Sequence, residues 1–105
     1  MFPKRPFHPS DTMLSKIPID LANVKADHMD REILRAAIIA ELDAINLYEQ
    51  LAAMTGDHKI RHILLDVAKE EKTHVGEFQA LLLLLDPEQE EELEEGKKEV
   101  EEELG

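Results

Sequence analysis

The fold is decided by residues 58–85, which read HKIRHILLDVAKEEKTHVGEFQALLLLL. Positions at alternating steps of four and three residues line one side of a helix, and they form a core seam typical of packed helices. These seam positions are Ile60, Leu64, Val67, Glu71, His74, Phe78, Leu81 and Leu85. Glu71 and His74 therefore stand where apolar side chains are expected. Because they are three residues apart on one helical face, both can reach a common point.

A second seam with the same spacing precedes this stretch. Its positions are Leu34, Ile38, Glu41, Ile45, Tyr48 and Ala52. Again one carboxylate, that of Glu41, occupies a core position. We expect this first helix to begin at Asp27 or Asp30, since both can cap a helix N-terminus.

The short segment Thr55-Gly56-Asp57 separates the two helices. Gly56 suits a left-handed backbone at the end of the first helix, and Asp57 suits the N-cap of the second. A loop this short predicts an antiparallel hairpin. Glu41 lies 15 residues before Gly56 and Glu71 lies 15 residues after it. At a rise of ~1.5 Å per residue, both carboxylates are expected ~22 Å from the turn and level with each other.

The remaining sequence flanks this hairpin. Residues 1–26 hold four of the five prolines and are predicted to be a flexible arm. Asp86 and Pro87 suit the start of a third, strongly acidic helix that continues to about Leu104 and has only a thin apolar stripe. We therefore divide the chain into an arm (1–26), a hairpin (27–85) and a C-terminal helix (86–105). The predicted class is all-α, an antiparallel two-helix hairpin plus a short helix, dimerising into a four-helix bundle.

Composition limits the function. The net charge of -12 argues against nucleic acid as a partner, and the absence of cysteine excludes disulfides, iron–sulfur clusters and thiol chemistry. No apolar run is long enough to span a membrane, and the first 18 residues lack the apolar core of a signal peptide. A cytoplasmic location with no membrane partner is the resulting expectation.

Three polar seam residues at one level require an explanation. The simplest alternative is that they face solvent. Otherwise, buried carboxylates need protonation, a counter-charge or a metal, and neither seam contains lysine or arginine. Carboxylates with one imidazole suit iron or manganese, and ligand type alone also allows zinc.

One hairpin supplies only half of a known arrangement. A di-iron four-helix bundle uses a Glu from each of two helices and a Glu-x-x-His from each of the other two. A second copy would complete the site. It would also cover further apolar positions that a lone hairpin leaves open, namely Ile33, Ala37, Ile63 and Leu82.

The segments Ala40 to Gln50 (AELDAINLYEQ) and Glu70 to His74 (EEKTH) resemble those of the encapsulated ferritins, which are ferritin-like proteins associated with encapsulin nanocompartments. The resemblance covers about residues 31–90. It rests on a Glu-x6-Tyr helix combined with a single Glu-x-x-His per chain, whereas ordinary ferritins and rubrerythrins carry both halves in one polypeptide.

The resemblance implies a ferroxidase that binds Fe(II) at a dimer interface and oxidises it to Fe(III), for mineralisation inside a surrounding shell. It implies Glu41, Glu71 and His74 as metal ligands, with Glu71 bridging, and Tyr48 hydrogen-bonding near the site. Two irons per dimer are implied, with manganese, zinc or calcium as substitutes. Asp43 matches an acid of the family's iron route, while Ala40 replaces an acid and Leu47 replaces an aromatic residue.

The resemblance also implies partners and a location. Family members assemble as decamers, which are rings of five dimers, and they associate with an encapsulin shell through a tail or by fusion. Neither feature is seen up to Gly105. Two other functions stay open from the sequence. One is a rubrerythrin-like di-iron peroxidase, and the other is a non-enzymatic helical assembly module that holds a structural metal.

Overall fold

The computed structural model describes residues 28–105. This range contains α1 (Met29–Met54), α2 (His58–Leu85) and α3 (Pro87–Leu104), and no strand. The all-α prediction is therefore confirmed, and α2 has the predicted bounds. The arm at residues 1–26 and the proposed cap Asp27 lie outside the described residues. The division into three parts stays a prediction.

Helices α1 and α2 pack side by side as the predicted hairpin. Its most buried residues are two from each helix, namely Ile45 and Ala52 on α1 and Ala68 and Leu82 on α2. Ala52 and Ala68 are only 2% exposed. Alanine at these contacts lets the two backbones approach closely, because helix separation depends on side-chain size at the contact.

The turn between α1 and α2 is closed by a side chain. Arg61 Nη2 donates to the carbonyl of Thr55 at 2.6 Å, and Arg61 Nε donates to the carbonyl of Ala52 at 3.1 Å. These bonds satisfy carbonyls that the end of α1 leaves free, and they place a cation at its negative end. No glycine in the described range has a positive φ, so the left-handed Gly56 is a wrong prediction.

The helix starts follow the capping rules only in part. Asp57 caps α2 as predicted, since its carboxylate accepts from the backbone N–H groups of Lys59 at 2.8 Å and Ile60 at 3.1 Å. The N-cap position of α1 is held by His28, and Asp30 lies within the first turn. Asp30 is therefore wrong as a cap. Its charge still favours the helix start, because a carboxylate there opposes the positive end of the helix dipole.

Asp86 joins α3 to the hairpin. Its Oδ1 accepts from the backbone N–H of Gln89 at 3.2 Å and caps α3, as predicted. Its Oδ2 also accepts from Nη2 of Arg35 on α1 at 2.7 Å, a contact that the sequence did not suggest. Leu93 lines the groove between α3 and the hairpin beside Arg35. The direction of α3 is therefore set at its first two turns.

We expect Asp86→Ala to lower the free energy of unfolding by about 1–2 kcal/mol, because it removes both a helix cap and a partly buried ion pair. Asp86→Asn is the matched variant, since asparagine keeps the capping oxygen but not the charge. It should recover about half of the loss. Urea denaturation followed by circular dichroism, with metal-free protein at one fixed protein concentration, measures the loss in each variant. Equal losses in the two variants would show that the cap contributes nothing.

A single chain leaves much of its apolar surface uncovered. Seam residues at the two ends of α2 are about half exposed, with Ile60 at 53% and Leu81 at 51%. Off the seam, Ile33 and Ile63 are exposed as predicted. Leu82 is 4% exposed, so placing it among the open positions was wrong, since it packs under α1 and α3. Exposed apolar residues that form a continuous face indicate an interaction surface.

Within residues 28–105, no helix is both long and apolar enough to cross a lipid bilayer.

Candidate metal centre

The three polar seam residues lie at mid-height of the hairpin. Glu41 is on α1, while Glu71 and His74 are one turn apart on the facing side of α2. Each is partly buried, as expected for a seam position in a single hairpin. One potential ligand atom from each residue lies within 4.8 Å of the others. The structure thus brings together the residues that the spacing places at one level. Their role as ligands stays a prediction.

His74 faces both carboxylates through the same ring nitrogen. Its Nδ1 is 3.3 Å from Oε2 of Glu71 and 3.5 Å from Oε2 of Glu41. One ring N–H can donate a good hydrogen bond to only one of the two carboxylates. The longer distance, to Glu41, is at the limit of a hydrogen bond. When Nδ1 is unprotonated, its lone pair points at the same place as the two oxygens. That arrangement suits a shared cation.

The Oε2 atom of Glu41 is buried and accepts no hydrogen bond. A buried carboxylate oxygen without a donor costs free energy, because it loses water and gains nothing in exchange. Within the described residues, no lysine or arginine forms an ion pair with Glu41 or Glu71. A neighbouring cation, Lys72, pairs instead with Glu49 at 3.5 Å.

The ligand set is incomplete on one side. The side chain of His74 is 44% exposed, compared with 21% for Glu41 and 18% for Glu71. Two carboxylates and one imidazole can hold one iron or manganese ion with open positions, or part of a pair of ions. The residues present therefore fit a metal, and they leave room for further ligands at the exposed face of the hairpin.

The other predicted site residues are less closely placed. Tyr48 lies on the α1 seam and is partly buried, but in the described part of the chain no hydrogen bond joins it to the three candidate ligands. Asp43, Ala40 and Leu47 lie on α1 beside the level of Glu41, and all three are partly buried. Their roles stay predictions. The Lys72–Glu49 pair was not predicted, because helix periodicity only indicates that both residues point away from the seam.

Known proteins are similar to this chain in sequence. The Rubrerythrin family model matches residues 32–104. A "Ferritin-like-encapsulin shell fusion protein" from Pyrococcus furiosus is 69% identical over 74 residues, which are 70% of this chain and 21% of that protein. The "Encapsulin nanocompartment cargo protein EncC" from Myxococcus xanthus is 45% identical over 56 residues, which are 53% of this chain and 43% of that protein. The chain thus spans about a fifth and less than half of these two curated relatives.

A solved structure agrees with the fold. The crystal structure of the encapsulated ferritin domain from Pyrococcus furiosus superposes with a TM-score of 0.72 and 60% sequence identity. The match covers 82% of this chain and 86% of that one. The resemblance to encapsulated ferritins is therefore confirmed.

Proposed function

Since the chain belongs to the Rubrerythrin family and has the fold of an encapsulated ferritin domain, we propose that it is a ferroxidase. In this proposal Glu41, Glu71 and His74 bind Fe(II), and a second copy supplies the same three residues from across a twofold axis. The site then oxidises Fe(II) to Fe(III) for storage elsewhere.

One observation carries the proposal. Oε2 of Glu41 is buried without a hydrogen bond, beside a second carboxylate and an imidazole nitrogen that faces both. In a metal-free hairpin this arrangement holds two like charges close together with only one shared donor. An Fe(II) ion at the convergence point would supply the missing positive charge to both carboxylates.

The second copy is needed for both chemistry and packing. Three ligands are too few for two metal ions, whereas two hairpins give two glutamates and two Glu-x-x-His pairs. The exposed side chain of His74 and the half-exposed seam residue Leu81 lie where a second hairpin would dock. A twofold dimer is the simplest closed assembly that meets both needs.

The electron count explains why a pair of irons is useful. Each Fe(II) gives up one electron, so two of them reduce dioxygen to hydrogen peroxide with uptake of two protons. Here iron is the substrate. Glu41 and Glu71 bind it and lower the cost of the higher charge on Fe(III), with Glu71 the bridging carboxylate in this proposal. Neutral His74 contributes a nitrogen ligand, and Tyr48 would act as a nearby hydrogen-bonding group.

A di-iron peroxidase is the second candidate, because the matched family is that of rubrerythrin. The same two electrons would reduce hydrogen peroxide to two waters, again with uptake of two protons. The absence of cysteine removes a rubredoxin-type iron site from this chain, so the peroxidase would need an external reductant.

The names of the relatives support a location. Both curated relatives carry encapsulin in their names, one as a shell fusion and one as cargo. We therefore propose that this chain works inside an encapsulin compartment in the cytoplasm, as dimers gathered into a decamer. The compartment would store the Fe(III) mineral, because a helical hairpin has no cavity of its own for it.

Anaerobic Fe(II) titration followed by exposure to air tests the function. We expect binding of about one iron per chain, that is about two per dimer, and fast Fe(III) formation in air. Calorimetry measures the stoichiometry, and ultraviolet absorbance measures the oxidation. Turnover only with peroxide and a reductant would favour the peroxidase instead. Tight zinc binding with no Fe(II) oxidation would favour the structural metal module.

A further inference from the structure

Helix α3 leaves the hairpin after its first two turns. Every residue from Glu90 to Gly105 is exposed, including Val100 at 57% and Leu104 at 82%. Helix α3 contains ten acids and two lysines, and its last turn has no basic residue. Acids at a helix C-terminus oppose its dipole, and an isolated helix of this length is marginal in water. The C-terminal half of α3 therefore lacks a stabilising surface within the described chain.

The apolar stripe on this half is narrow. Val100 and Leu104 are one turn apart, so they lie on one face. At 100° per residue, Glu101 and Glu103 fall on either side of that face. A surface that fits this end of α3 would have an apolar ridge with positive charge beside it.

The chain itself has such a surface at the start of α2. Residues 58–65 contain Lys59, Arg61 and two histidines but no acid. Ile60 and Ile63 are 53% and 59% exposed, and a shallow groove is lined by Lys59, Ile60, Ile63 and Leu64. Arg61 is occupied at the turn, and the Asp57 cap offsets part of the local charge. Lys59 remains the cation beside the apolar residues.

The two surfaces cannot meet within one chain. Helix α2 is ~42 Å long and α3 is ~27 Å long, by the rise of an α-helix. Because α3 begins at the C-terminal end of α2, Leu104 could not reach the start of α2 even if α3 folded straight back. Contact between the two surfaces therefore requires a second copy.

We propose that the C-terminal half of α3 in one copy docks on the start of α2 in another copy. Val100 and Leu104 lie against Ile60 and Ile63, and one of the flanking acids, Glu101 or Glu103, lies beside Lys59. A second α3 is the poorer occupant, because it would oppose acid with acid. Two copies can make this contact reciprocally across a twofold axis, or successive copies can make it head to tail in a ring or an open chain.

This interface goes beyond the metal-completing dimer. It uses the outer end of α3 and the Ile63 side of α2, whereas the metal site lies at mid-height on the seam. It can therefore be tested with chelator present, and its failure would leave the proposed ferroxidase untouched.

Zero-length coupling of amines to carboxylates provides a direct test. Equal amounts of ¹⁴N and ¹⁵N protein are mixed in chelator, treated with a carbodiimide and digested for mass spectrometry. We expect mixed-isotope links from Lys59 to Glu101 or Glu103. Links from these acids only to Lys97 or Lys98 of another α3, or only to the lysines of residues 1–27, would overturn the proposal. Absence of mixed links would also overturn it.

Paired substitutions test the energetics. Sedimentation velocity gives the protein concentration at which half of the assembly held by the α3 contact dissociates. Val100→Asp, Ile63→Asp and Lys59→Glu should each raise this concentration at least tenfold. Combining Lys59→Glu with Glu101→Lys and Glu103→Lys should restore most of the lost affinity. Glu91→Lys is the control, because it makes the same charge change on the opposite face of α3. An unchanged mass distribution in Val100→Asp and Ile63→Asp would overturn the interface.

Discussion

Glu41→Ala is expected to reduce the rate of Fe(II) oxidation in air by at least ~100-fold, since losing a direct ligand should cost more than losing a group that merely orients one. The substitution removes the ligand from α1 in both copies of a dimer, and with it the buried oxygen that accepts no hydrogen bond. His74→Ala should have an effect of the same size, because His74 offers the single nitrogen of the cluster. Stopped-flow absorbance after mixing Fe(II) protein with aerated buffer measures the rate.

Glu49→Ala is the matched control for this prediction. Glu49 is also a carboxylate on α1, but it is exposed and pairs with Lys72 away from the cluster. Its loss should change the oxidation rate by less than about twofold, because a surface ion pair contributes little. Full activity in both Glu41→Ala and His74→Ala would refute the site.

Glu41→Gln separates a ligand from a structural residue. Glutamine keeps the shape of the side chain and removes one of two neighbouring negative charges. Metal-free Glu41→Gln should therefore be at least as stable as the parent in urea, while its Fe(II) oxidation should fall as in Glu41→Ala. Function held at a cost in stability is typical of binding sites. A destabilised Glu41→Gln would instead indicate that Glu41 supports the fold.

The fold could be predicted from the sequence because the patterns that indicate it are local and repeated. Alternating steps of four and three mark both seams, Asp57 and Asp86 mark helix starts, and a three-residue loop leaves few alternatives to a hairpin. Counting from the turn then places Glu41 level with Glu71, because the rise of a helix is constant. The convergence of the candidate ligands follows from the same arithmetic.

The features that sequence did not reveal depend on contacts between distant residues. The left-handed Gly56 was expected from glycine's conformational freedom, but Arg61 closes the turn from the next helix and no such conformation is needed. Arg35 meets Asp86 across 51 positions, and nothing in its local pattern indicates that partner. Leu82 was placed among the uncovered residues because the position of α3 was unknown.

Metal binding should strengthen the dimer. If only the dimer has complete sites, each bound ion stabilises it by about 2.7 kcal/mol at a hundredfold excess over the dissociation constant. Two ions then contribute about 5 kcal/mol, which is roughly a thousandfold to ten-thousandfold lower dimer dissociation constant. Sedimentation velocity on Val100→Asp protein, with Mn(II) or anaerobic Fe(II) against chelator, isolates this step from the α3 contact.

Glu41→Gln added to the Val100→Asp protein is the control for this linkage. The apolar seam of the double variant is intact, so its dimer should be as weak as that of the Val100→Asp protein in chelator. Metal should not strengthen it. Where the parent is already dimeric without metal, the same linkage should appear as a rise in melting temperature that Glu41→Gln lacks. Tight metal binding by a chain that stays monomeric would contradict the shared site. It would mean that one hairpin satisfies the ion, and that the exposed face of His74 serves another ligand.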